Sequence, residues 1–271
     1  MLKLITIGNI HIYLLGLTTA IGVIIAYLVA SSEIKKRGLN KEIFENLIIY
    51  SLISAFIGAR LFYIFVFNPT EYIQNPQEIF KITSGGMSIQ GGLIFAFAFA
   101  WFFLKKKKKN FLEYSDAIIP SVPLAQFIGR IGCDVFGKPM NSPQFWAVLY
   151  QGELVHPVQI YEAILNLLLF VYLKNKNTLN SSYGDLTSDY LIGYGSIRFF
   201  VEFFRFNPIV FGPLTVAHVT SILIIFVGLL IKRTSTNKYH MDYSIRMNKV
   251  IFILIMAVLA FLAIGIYYTI R

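Results

Sequence analysis

The sequence predicts an all-α, polytopic integral membrane protein, with about seven to eight transmembrane helices around a polar, arginine-lined cavity open to the outer leaflet. The first observation behind this prediction is composition. The mean hydropathy is +0.64, and 56% of the 271 residues are hydrophobic while only 14% are charged, whereas a soluble chain of this length needs a more polar surface. The second is a series of apolar runs of about 20 residues, long enough to cross a bilayer. The third is the presence of arginines within those runs.

The apolar runs predict eight spans in chain order, and polar residues weaken the fourth and the sixth. The predicted spans are Ile10–Ala30, Asn46–Phe67, Gly86–Leu104, Asp116–Cys133, Pro157–Leu173, Asp189–Phe204, Leu214–Ile231 and Val250–Ile270. The first run lacks a small-residue cleavage site, so we expect it to be retained as a helix. The polar stretch Asn175–Tyr183 predicts a short surface loop. No internal repeat divides the chain, and we expect a single transmembrane domain over residues 1–271.

Lysine and arginine residues follow the odd-numbered spans, most densely in the run Lys105–Lys109. The even-numbered loops hold little beyond Lys81 and Lys138. The positive-inside rule therefore predicts that the odd-numbered loops face the cytoplasm and that both termini lie outside. Because these short clusters account for the net charge of +10, the basic balance indicates contact with anionic membrane lipids and no nucleic-acid partner.

Four arginines lie inside stretches that are otherwise apolar enough to span a membrane: Arg60, Arg130, Arg198 and Arg205. Each would cost about 2.5–3.5 kcal/mol at the centre of an inserted helix unless another group compensates. Arg60 and Arg205 lie near the ends of their segments, so their side chains could reach the membrane surface by snorkelling. Four unrelated structural roles are the alternative to a common site. A shared polar cavity that handles an anion explains all four together, so we expect such a cavity.

Cysteine and histidine usage argues against a metal centre. Cys133 is the only cysteine, which excludes an intramolecular disulfide and a cysteine-based metal cage. The four histidines do not show H-E-x-x-H or a similar ligand spacing. We therefore expect no metal site.

Two glycine-bearing segments lie on the outer side of the predicted topology. In Ser84–Gly92, glycine pairs flank a polar centre that includes Gln90. Glycine pairs let the backbone turn or approach a ligand, and they also let helices pack closely, so both roles stay open. In Gly129–Lys138, Arg130 lies between Gly129 and Gly132. There its planar fork can meet a phosphate with little steric interference.

Two further segments carry charged side chains. In His156–Glu162, Pro157 can start a helix whose first turn carries Gln159 and Glu162. His156 is either part of a site or a solvated cap.

In Gly193–Arg205, the side chains of Tyr194, Arg198, Glu202 and Arg205 recur at i, i+4, i+8 and i+11, which predicts one helical stripe. Glu202 can neutralise and orient one arginine and leave another to receive substrate charge, although a structural Arg–Glu–Arg ladder is the alternative.

Together these segments resemble the prolipoprotein diacylglyceryl transferases, integral bacterial enzymes of the lipoprotein pathway. The resemblance covers about Tyr13 to Ile231. It rests on five motifs in the family's order, namely Gly-Ala-Arg60, Gly-Gly-Met-Ser-Ile-Gln90-Gly-Gly, Gly-Arg130-Ile-Gly, His156-Pro-Val-Gln-Ile-Tyr-Glu162 and Gly-Tyr194-Gly-Ser-Ile-Arg198-Phe-Phe-Val-Glu202-Phe-Phe-Arg205. It implies transfer of the diacylglyceryl group of phosphatidylglycerol to the lipobox cysteine thiol of a preprolipoprotein, with release of glycerol phosphate. The reaction would take place at the bacterial plasma membrane without a cofactor.

The resemblance also implies roles for individual residues. Arg130 and Arg198 would stabilise charge on the departing phosphate, while Tyr194 and Tyr13 would orient the head group or assist proton movement. The catalytic residues would be Arg130, Arg198, Tyr194, Tyr13 and Gln90. The phospholipid-binding residues would be Arg60, Gly91, Gly92, Gly129, Gly137, His156, Glu162, Glu202 and Arg205.

The chain departs from the family pattern at three places. Gln90 stands where the family usually has histidine, and an amide cannot act as a base near neutral pH. Cys133 and Asp134 follow the Gly-Arg-x-Gly motif, where the family usually has asparagine. The last predicted span is an addition to the family's usual seven helices. Two other functions therefore stay open: a divergent paralogue that binds or modifies phospholipid with another acceptor or none, and a transporter with an arginine-lined anion path. The transporter is disfavoured because no internal repeat is visible.

Overall fold

Helices make up most of the chain, and short pairs of strands cap or connect several of them. The computed structural model describes residues 3–7, 10–67, 69–80, 85–142, 144–176, 181–234, 238–239 and 249–270. The helices are α1 Leu14–Lys36, α2 Lys41–Phe67, α3 Pro69–Gln74, α4 Ile89–Lys106, α5 Phe111–Ile118, α6 Val122–Ile131, α7 Val158–Lys176, α8 Asp185–Glu202, α9 Val216–Thr234 and α10 Lys249–Ile270. Single 3-10 turns cover Pro76–Phe80 and Ile119–Ser121.

Within the described residues, the strands form four two-stranded antiparallel sheets. They are β1 Lys3–Ile7 with β2 Ile10–Tyr13, β3 Val148–Tyr150 with β4 Glu153–Val155, β5 Ser181–Ser182 with β8 Lys238–Tyr239, and β6 Ile209–Phe211 with β7 Leu214–Thr215. The chain divides into two compact units, Met1–Arg37 with Ser115–Arg271 and Gly38–Tyr114, here called the first and the second unit.

Four helices of the described chain are long and apolar enough to cross a membrane: Leu14–Lys36, Lys41–Val66, Ile89–Lys106 and Val216–Thr234. They correspond to the first, second, third and seventh predicted spans, so the largely helical membrane protein is confirmed at this coarser level. The total of seven to eight spans stays a prediction.

The fourth predicted span is not one helix. Residues 116–133 contain the end of α5, a 3-10 turn and the ten-residue helix α6. Pro120 and Pro123 explain the break, because each lacks a backbone N–H and restricts the residue before it. The short α6 therefore carries Arg130 in its last turn.

The second unit is built on the contact between α2 and α4. A Cβ added to Gly91 would lie 2.2 Å from Cβ of Phe62 and 2.5 Å from the carbonyl oxygen of Gly58, and one added to Gly92 would lie 3.3 Å from the carbonyl oxygen of Ala55. Both glycines are buried. The pair therefore lets the two helices approach closely, which is the packing role that small residues have in membranes.

Replacing Gly91 by alanine is expected to destabilise the protein by about 1–3 kcal/mol, because the new methyl group overlaps the backbone and side chain of α2. Thermal unfolding of the purified protein in detergent measures the effect. Gly16→Ala is the matched control, since an added Cβ at this helical glycine meets nothing within 4 Å. Equal shifts of Tm in the two variants would contradict the packing assignment.

The core of the first unit lies between α6 and α7. Two residues of α6, Leu124 and Phe127, pack on three of α7, Ala163, Leu167 and Phe170. Side chains of α1 and α10 cover this cluster: Ile25, Val29, Met256 and Ala260. The additional C-terminal helix is thus part of the first unit.

Contacts of α10 reach the start of α7 and the loop before it. The amide of Gln159 donates a hydrogen bond to the hydroxyl of Tyr267. The hydroxyl of Tyr268 donates to the carbonyl oxygen of Trp146 at 2.6 Å. These bonds attach α10 to the segment from which the first turn of α7 begins.

In the first unit, buried carboxylates of α1 and α8 form ion pairs with lysines near the ends of α7 and α9. Glu33 of α1 pairs with Lys174 of α7. Asp189 of α8 accepts from Lys232 of α9 at 2.8 Å, and Lys176 of α7 pairs with it too. Each carboxylate is therefore compensated by lysine, as burial of a charge requires.

Candidate active site

Glu162 of α7 lies at the centre of a cluster of charged side chains in the first unit. Its carboxylate has no exposed surface. Oε1 accepts from Nη2 of Arg130 at 2.6 Å, and Oε2 accepts from Nη2 of Arg205 at 2.6 Å. Nη1 of Arg198 lies 4.0 Å from Oε2. One buried carboxylate therefore holds two arginines and lies near a third.

Glu202 is the second carboxylate of the cluster and ends α8. Its Oε2 forms an ion pair with Nη2 of Arg198 at 2.9 Å, at the i, i+4 spacing within α8. Its Oε1 accepts from Nδ2 of Asn207 at 2.5 Å and from the hydroxyl of Thr215 at 2.8 Å. We call Arg130, Glu162, Arg198, Glu202 and Arg205 the arginine cluster.

Three elements supply the cluster, each for a local reason. The helix α6 ends one residue after Arg130, where the helix dipole favours a cation. Pro157 directly precedes α7, a position at which a residue needs no backbone N–H. Glu162 is the fifth residue of that helix. The end of α8 brings Arg198 and Glu202 onto one face.

Arg205 corrects the sequence prediction of a single helical stripe. The helix α8 ends at Glu202, Phe203 and Phe204 form a turn, and Arg205 forms an isolated antiparallel bridge with Gly137. Because the backbone leaves the helix after Glu202, Arg205 does not continue the helical stripe of Tyr194, Arg198 and Glu202. Its guanidinium reaches Glu162 on another helix instead.

The cluster carries net positive charge on its accessible side. Three guanidinium groups against two carboxylates leave one positive charge. Both carboxylates are fully buried, whereas the side chains of Arg130 and Arg198 keep 25% and 19% of their surface exposed. Among the described residues, Nη1 of Arg198 has no hydrogen-bond partner although it is buried. An anion that enters would therefore meet guanidinium groups and an unused donor.

Tyr194 lies one helical turn before Arg198 on α8 and interacts electrostatically with Glu162 and with the three arginines of the cluster. Its ring stacks on that of Tyr190, with centroids 5.7 Å apart and planes at 9°. The hydroxyl of Tyr190 accepts a hydrogen bond from Gln126 at 3.0 Å. Stacking on a fixed tyrosine restricts the orientation of Tyr194 beside the arginines.

Gly137 joins the loop after α6 to the end of α8. Its N–H donates to the carbonyl oxygen of His156 at 2.8 Å. An added Cβ would lie 2.4 Å from the carbonyl oxygen of Phe204, so a side chain would push the two segments apart. Gly129 is less constrained, because the nearest atom to an added Cβ, Oγ1 of Thr19, is 3.7 Å away.

His156 is hydrogen-bonded and half-buried, which differs from a solvated cap. Its Nδ1 lies 3.2 Å from the hydroxyl of Tyr161, which also accepts from Nε1 of Trp146 at 3.0 Å. Burial lowers the pKa of His156 below its usual value, so the ring is neutral at pH 7. The three side chains border an apolar cavity of about 400 Å³ that is also lined by Leu165, Phe200, Val201 and Phe204.

The second unit holds four residues of the sequence prediction, namely Gly91 and Gly92 of the helix contact, Arg60 and Gln90. The buried guanidinium of Arg60 donates to carbonyl oxygens of Ile79, Gly85 and Gly86, at 2.7 to 3.1 Å. It thereby anchors the segment that leads to α4. At the start of α4, Oε1 of Gln90 accepts from the hydroxyl of Ser88 at 2.8 Å. Ser84, the first residue of this motif, lies outside the described residues.

Tyr13 ends β2 and immediately precedes α1, where its ring meets that of His11 edge-on with centroids 6.4 Å apart.

In the first unit, the structure brings together six of the predicted site residues: Arg130, Glu162, Tyr194, Arg198, Glu202 and Arg205. Sequence reasoning missed Asn207 and Thr215, which hold Glu202. The spacing of Thr215 and His218 before an apolar run, typical of a helix cap, is the signal that could have drawn attention to them.

Comparison with known proteins shows which family the chain resembles. A family model described as prolipoprotein diacylglyceryl transferase matches residues 3–234. The chain is similar to the phosphatidylglycerol–prolipoprotein diacylglyceryl transferase of Finegoldia magna, with 35% identity over 235 residues, 84% of this chain and 92% of that protein. The proteins of the same name from Clostridioides difficile and Halalkalibacterium halodurans are 33% and 34% identical. They cover 83% of this chain each, with 91% and 83% of their own lengths matched.

Proposed function

The chain belongs to the prolipoprotein diacylglyceryl transferase family, and we propose that it transfers the diacylglyceryl group of phosphatidylglycerol to the lipobox cysteine thiol of a preprolipoprotein. Glycerol phosphate is the other product. The observation that carries the proposal, beside the family match, is the binding of Arg130 and Arg205 by one buried carboxylate next to Arg198. This arrangement suits a phosphate that gains charge.

The reaction breaks the bond between the glycerol carbon and the phosphate oxygen and forms a bond from that carbon to the acceptor sulfur. The electron pair of the broken bond stays on the phosphate, and the proton that the thiol gives up is balanced by the released glycerol phosphate. Guanidinium groups that are already oriented in a water-poor site stabilise this charge without reorganisation. Arg130 and Arg198 have the most exposed guanidinium side chains of the cluster, so we assign contact with the phosphate to them.

Glu162 and Glu202 have a different task in this proposal. Both are fully buried and bound to arginines, so they hold the guanidinium groups in place and reduce the cost of burying them. Tyr194 interacts electrostatically with the same groups and would orient the head group. Gly137 forms a backbone bridge with Arg205 and would support the position of that arginine.

The site is proposed to face the outer leaflet of the bacterial plasma membrane, with both termini outside. The excess of lysine and arginine after the odd-numbered predicted spans supports this orientation. Single cysteines introduced into a Cys133→Ser background and labelled in intact cells by a membrane-impermeant maleimide test it. Labelling of a cysteine in the Lys105–Lys109 loop from outside would contradict it.

Replacing Gln90 by histidine is expected to preserve transfer or raise it, by up to about 100-fold if loss of the thiol proton limits the rate. The reason is that imidazole, unlike an amide, accepts a proton near neutral pH. Initial rates with a synthetic lipobox peptide measure the effect. Gln74→His, at the exposed end of α3, is the control. A large loss in Gln90→His would show that the amide serves another chemistry.

The test of the function is transfer from phosphatidylglycerol to the peptide by the purified protein, read as a mass increase. A second function is favoured by Gln90, namely a paralogue that binds phospholipid but uses another acceptor or none. No mass increase from folded protein, under conditions where the Finegoldia magna relative is active, would support this second function. Identification of the lipid that copurifies with the protein would then be the next step.

A further inference from the structure

We propose that Thr215 and His218 are positioning residues that orient Arg198 through Glu202. Neither residue belongs to the arginine cluster, and both lie where β7 ends and α9 begins. The inference rests on the proposed transferase function and adds two residues to its machinery. It follows from a series of contacts that runs from the guanidinium of Arg198 to the imidazole of His218.

The first contact in the series is the ion pair of Arg198 with Glu202. Oε2 of Glu202 meets Nη2 of Arg198 at 2.9 Å, while Oε1 accepts from Thr215 at 2.8 Å and from Asn207 at 2.5 Å. Oε2 has the ion pair but no hydrogen bond among the described residues, so the two hydrogen bonds to Oε1 fix the orientation of this fully buried carboxylate. The hydroxyl of Thr215 therefore helps to set the direction in which Glu202 holds Arg198.

The second contact fixes Thr215 itself. Its backbone N–H donates to Nδ1 of His218 at 3.1 Å, and His218 is the third residue of α9. This is the reciprocal half of a capping box, in which the side chain at the third helical position accepts the N–H of the residue before the helix. The hydroxyl of Thr215 donates to Glu202. The threonine thus links the start of α9 to the end of α8.

His218 is held rigidly in turn. Only 1% of its surface is exposed, and its ring packs on Phe199 and Phe203 with centroids 5.0 and 4.5 Å apart. Because Nδ1 accepts a backbone N–H, the N–H of the ring is on Nε2. That atom is buried without a hydrogen-bond partner among the described residues. A buried donor without a partner destabilises a fold. We therefore expect a functional role of this helix cap that offsets the cost.

Orientation of Arg198 is such a role. Its Nη1 is buried, has no hydrogen-bond partner within the described part of the chain, and lies 4.0 Å from Glu162, so the direction of this guanidinium depends on its ion pair with Glu202. Displacement of a binding group by about 1 Å can lower a rate about 100-fold. Thr215 and His218 act at a distance by preventing such a displacement.

The first test compares Thr215→Val with Thr215→Ser in the peptide transfer assay. Valine removes the hydroxyl at nearly constant volume, and kcat per folded molecule is expected to fall about 10- to 100-fold with little change in KM for phosphatidylglycerol, because the contact with Arg198 strengthens as charge develops. Serine keeps the hydroxyl and is expected to restore most of kcat. Thr220→Val is the control, since the hydroxyl of this exposed threonine donates to the carbonyl oxygen of Ala217 in its own helix, α9.

The second test separates positioning from structural support. If Thr215 acts through Glu202, Thr215→Val causes little further loss of kcat in a Glu202→Gln background, whereas independent effects would multiply. His218→Gln keeps an acceptor for the N–H of Thr215 and is expected to retain activity, while His218→Leu is expected to lose as much kcat as Thr215→Val. Size-exclusion profiles and Tm report how much of each variant is folded.

Wild-type kcat in Thr215→Val, or equal loss in the valine and serine variants, would overturn the inference. So would multiplicative losses in the double variant. Absence of transfer by the folded wild-type protein would overturn the proposed function and not the contacts themselves. In that case, a measurable loss of phosphatidylglycerol binding in Thr215→Val, with recovery in Thr215→Ser, would still support positioning of Arg198, and unchanged binding would contradict it.

Discussion

Replacing Arg198 by alanine is expected to lower kcat for diacylglyceryl transfer about 100- to 1,000-fold, the usual effect of removing one preorganised donor to developing charge. Arg198 has a side chain that is 19% exposed and a buried Nη1 that has no hydrogen-bond partner among the described residues. The measurement is kcat for diacylglyceryl transfer to the lipobox peptide, read as the mass increase of the peptide and expressed per folded molecule in detergent.

Two further variants make the result interpretable. Arg198→Lys keeps a positive charge next to Glu202 but lacks the planar fork, so it is expected to fold like the wild type and to recover only part of kcat. Arg233→Ala, near the exposed end of α9, removes an arginine away from the cluster and is expected to leave kcat unchanged. Full activity in folded Arg198→Ala would refute the assignment of this residue to the phosphate.

Replacing Glu162 by alanine is expected to cost about 3–5 kcal/mol of stability, because breaking a buried ion pair leaves the partner charges uncompensated. Glu162 holds Arg130 and Arg205 at 2.6 Å each with a carboxylate that has no exposed surface. Its removal leaves three guanidinium groups against Glu202 alone. The expected result is a much lower Tm and a low yield of monodisperse protein.

Glu162→Gln separates the loss of charge from the loss of volume. The amide keeps the shape of the side chain and one acceptor oxygen, so most of the destabilisation is expected to remain if charge compensation is the cause. Glu153→Ala, at an exposed position of β4, is the control and is expected to change stability little. A Glu162→Ala protein as stable as the control would show that the cluster does not depend on this carboxylate.

Predictions from the sequence succeeded where the relevant interaction is local. Apolar runs of bilayer length identified α1, α2, α4 and α9, because hydrophobic length is a property of a single segment. The i, i+4 spacing of Arg198 and Glu202 predicted a contact that depends only on the helix that carries both residues. The match to the family over residues 3–234 confirmed the resemblance drawn from the motifs.

Predictions failed, or were never made, where proline interrupts an apolar run and where residues far apart in the chain interact. The run Asp116–Cys133 has the length of a span but is broken around Pro120 and Pro123. The helical stripe was extended to Arg205, although the chain turns after Glu202 and pairs Arg205 with Gly137. Thr215 was not recognised, because its hydroxyl partner lies 13 residues earlier on another helix.

The sequence by itself determined the class of protein, the family, and the kinds of side chain available for binding an anion. These follow from composition, from runs of bilayer length and from motifs within single segments. Only the tertiary structure decided which carboxylate holds which arginine. Glu162 is 32 residues from Arg130 and 43 from Arg205 along the chain, and no local periodicity relates positions so far apart. Their pairing arises because the packing of α6, α7 and the end of α8 buries three guanidinium groups together, and a buried charge must be compensated there.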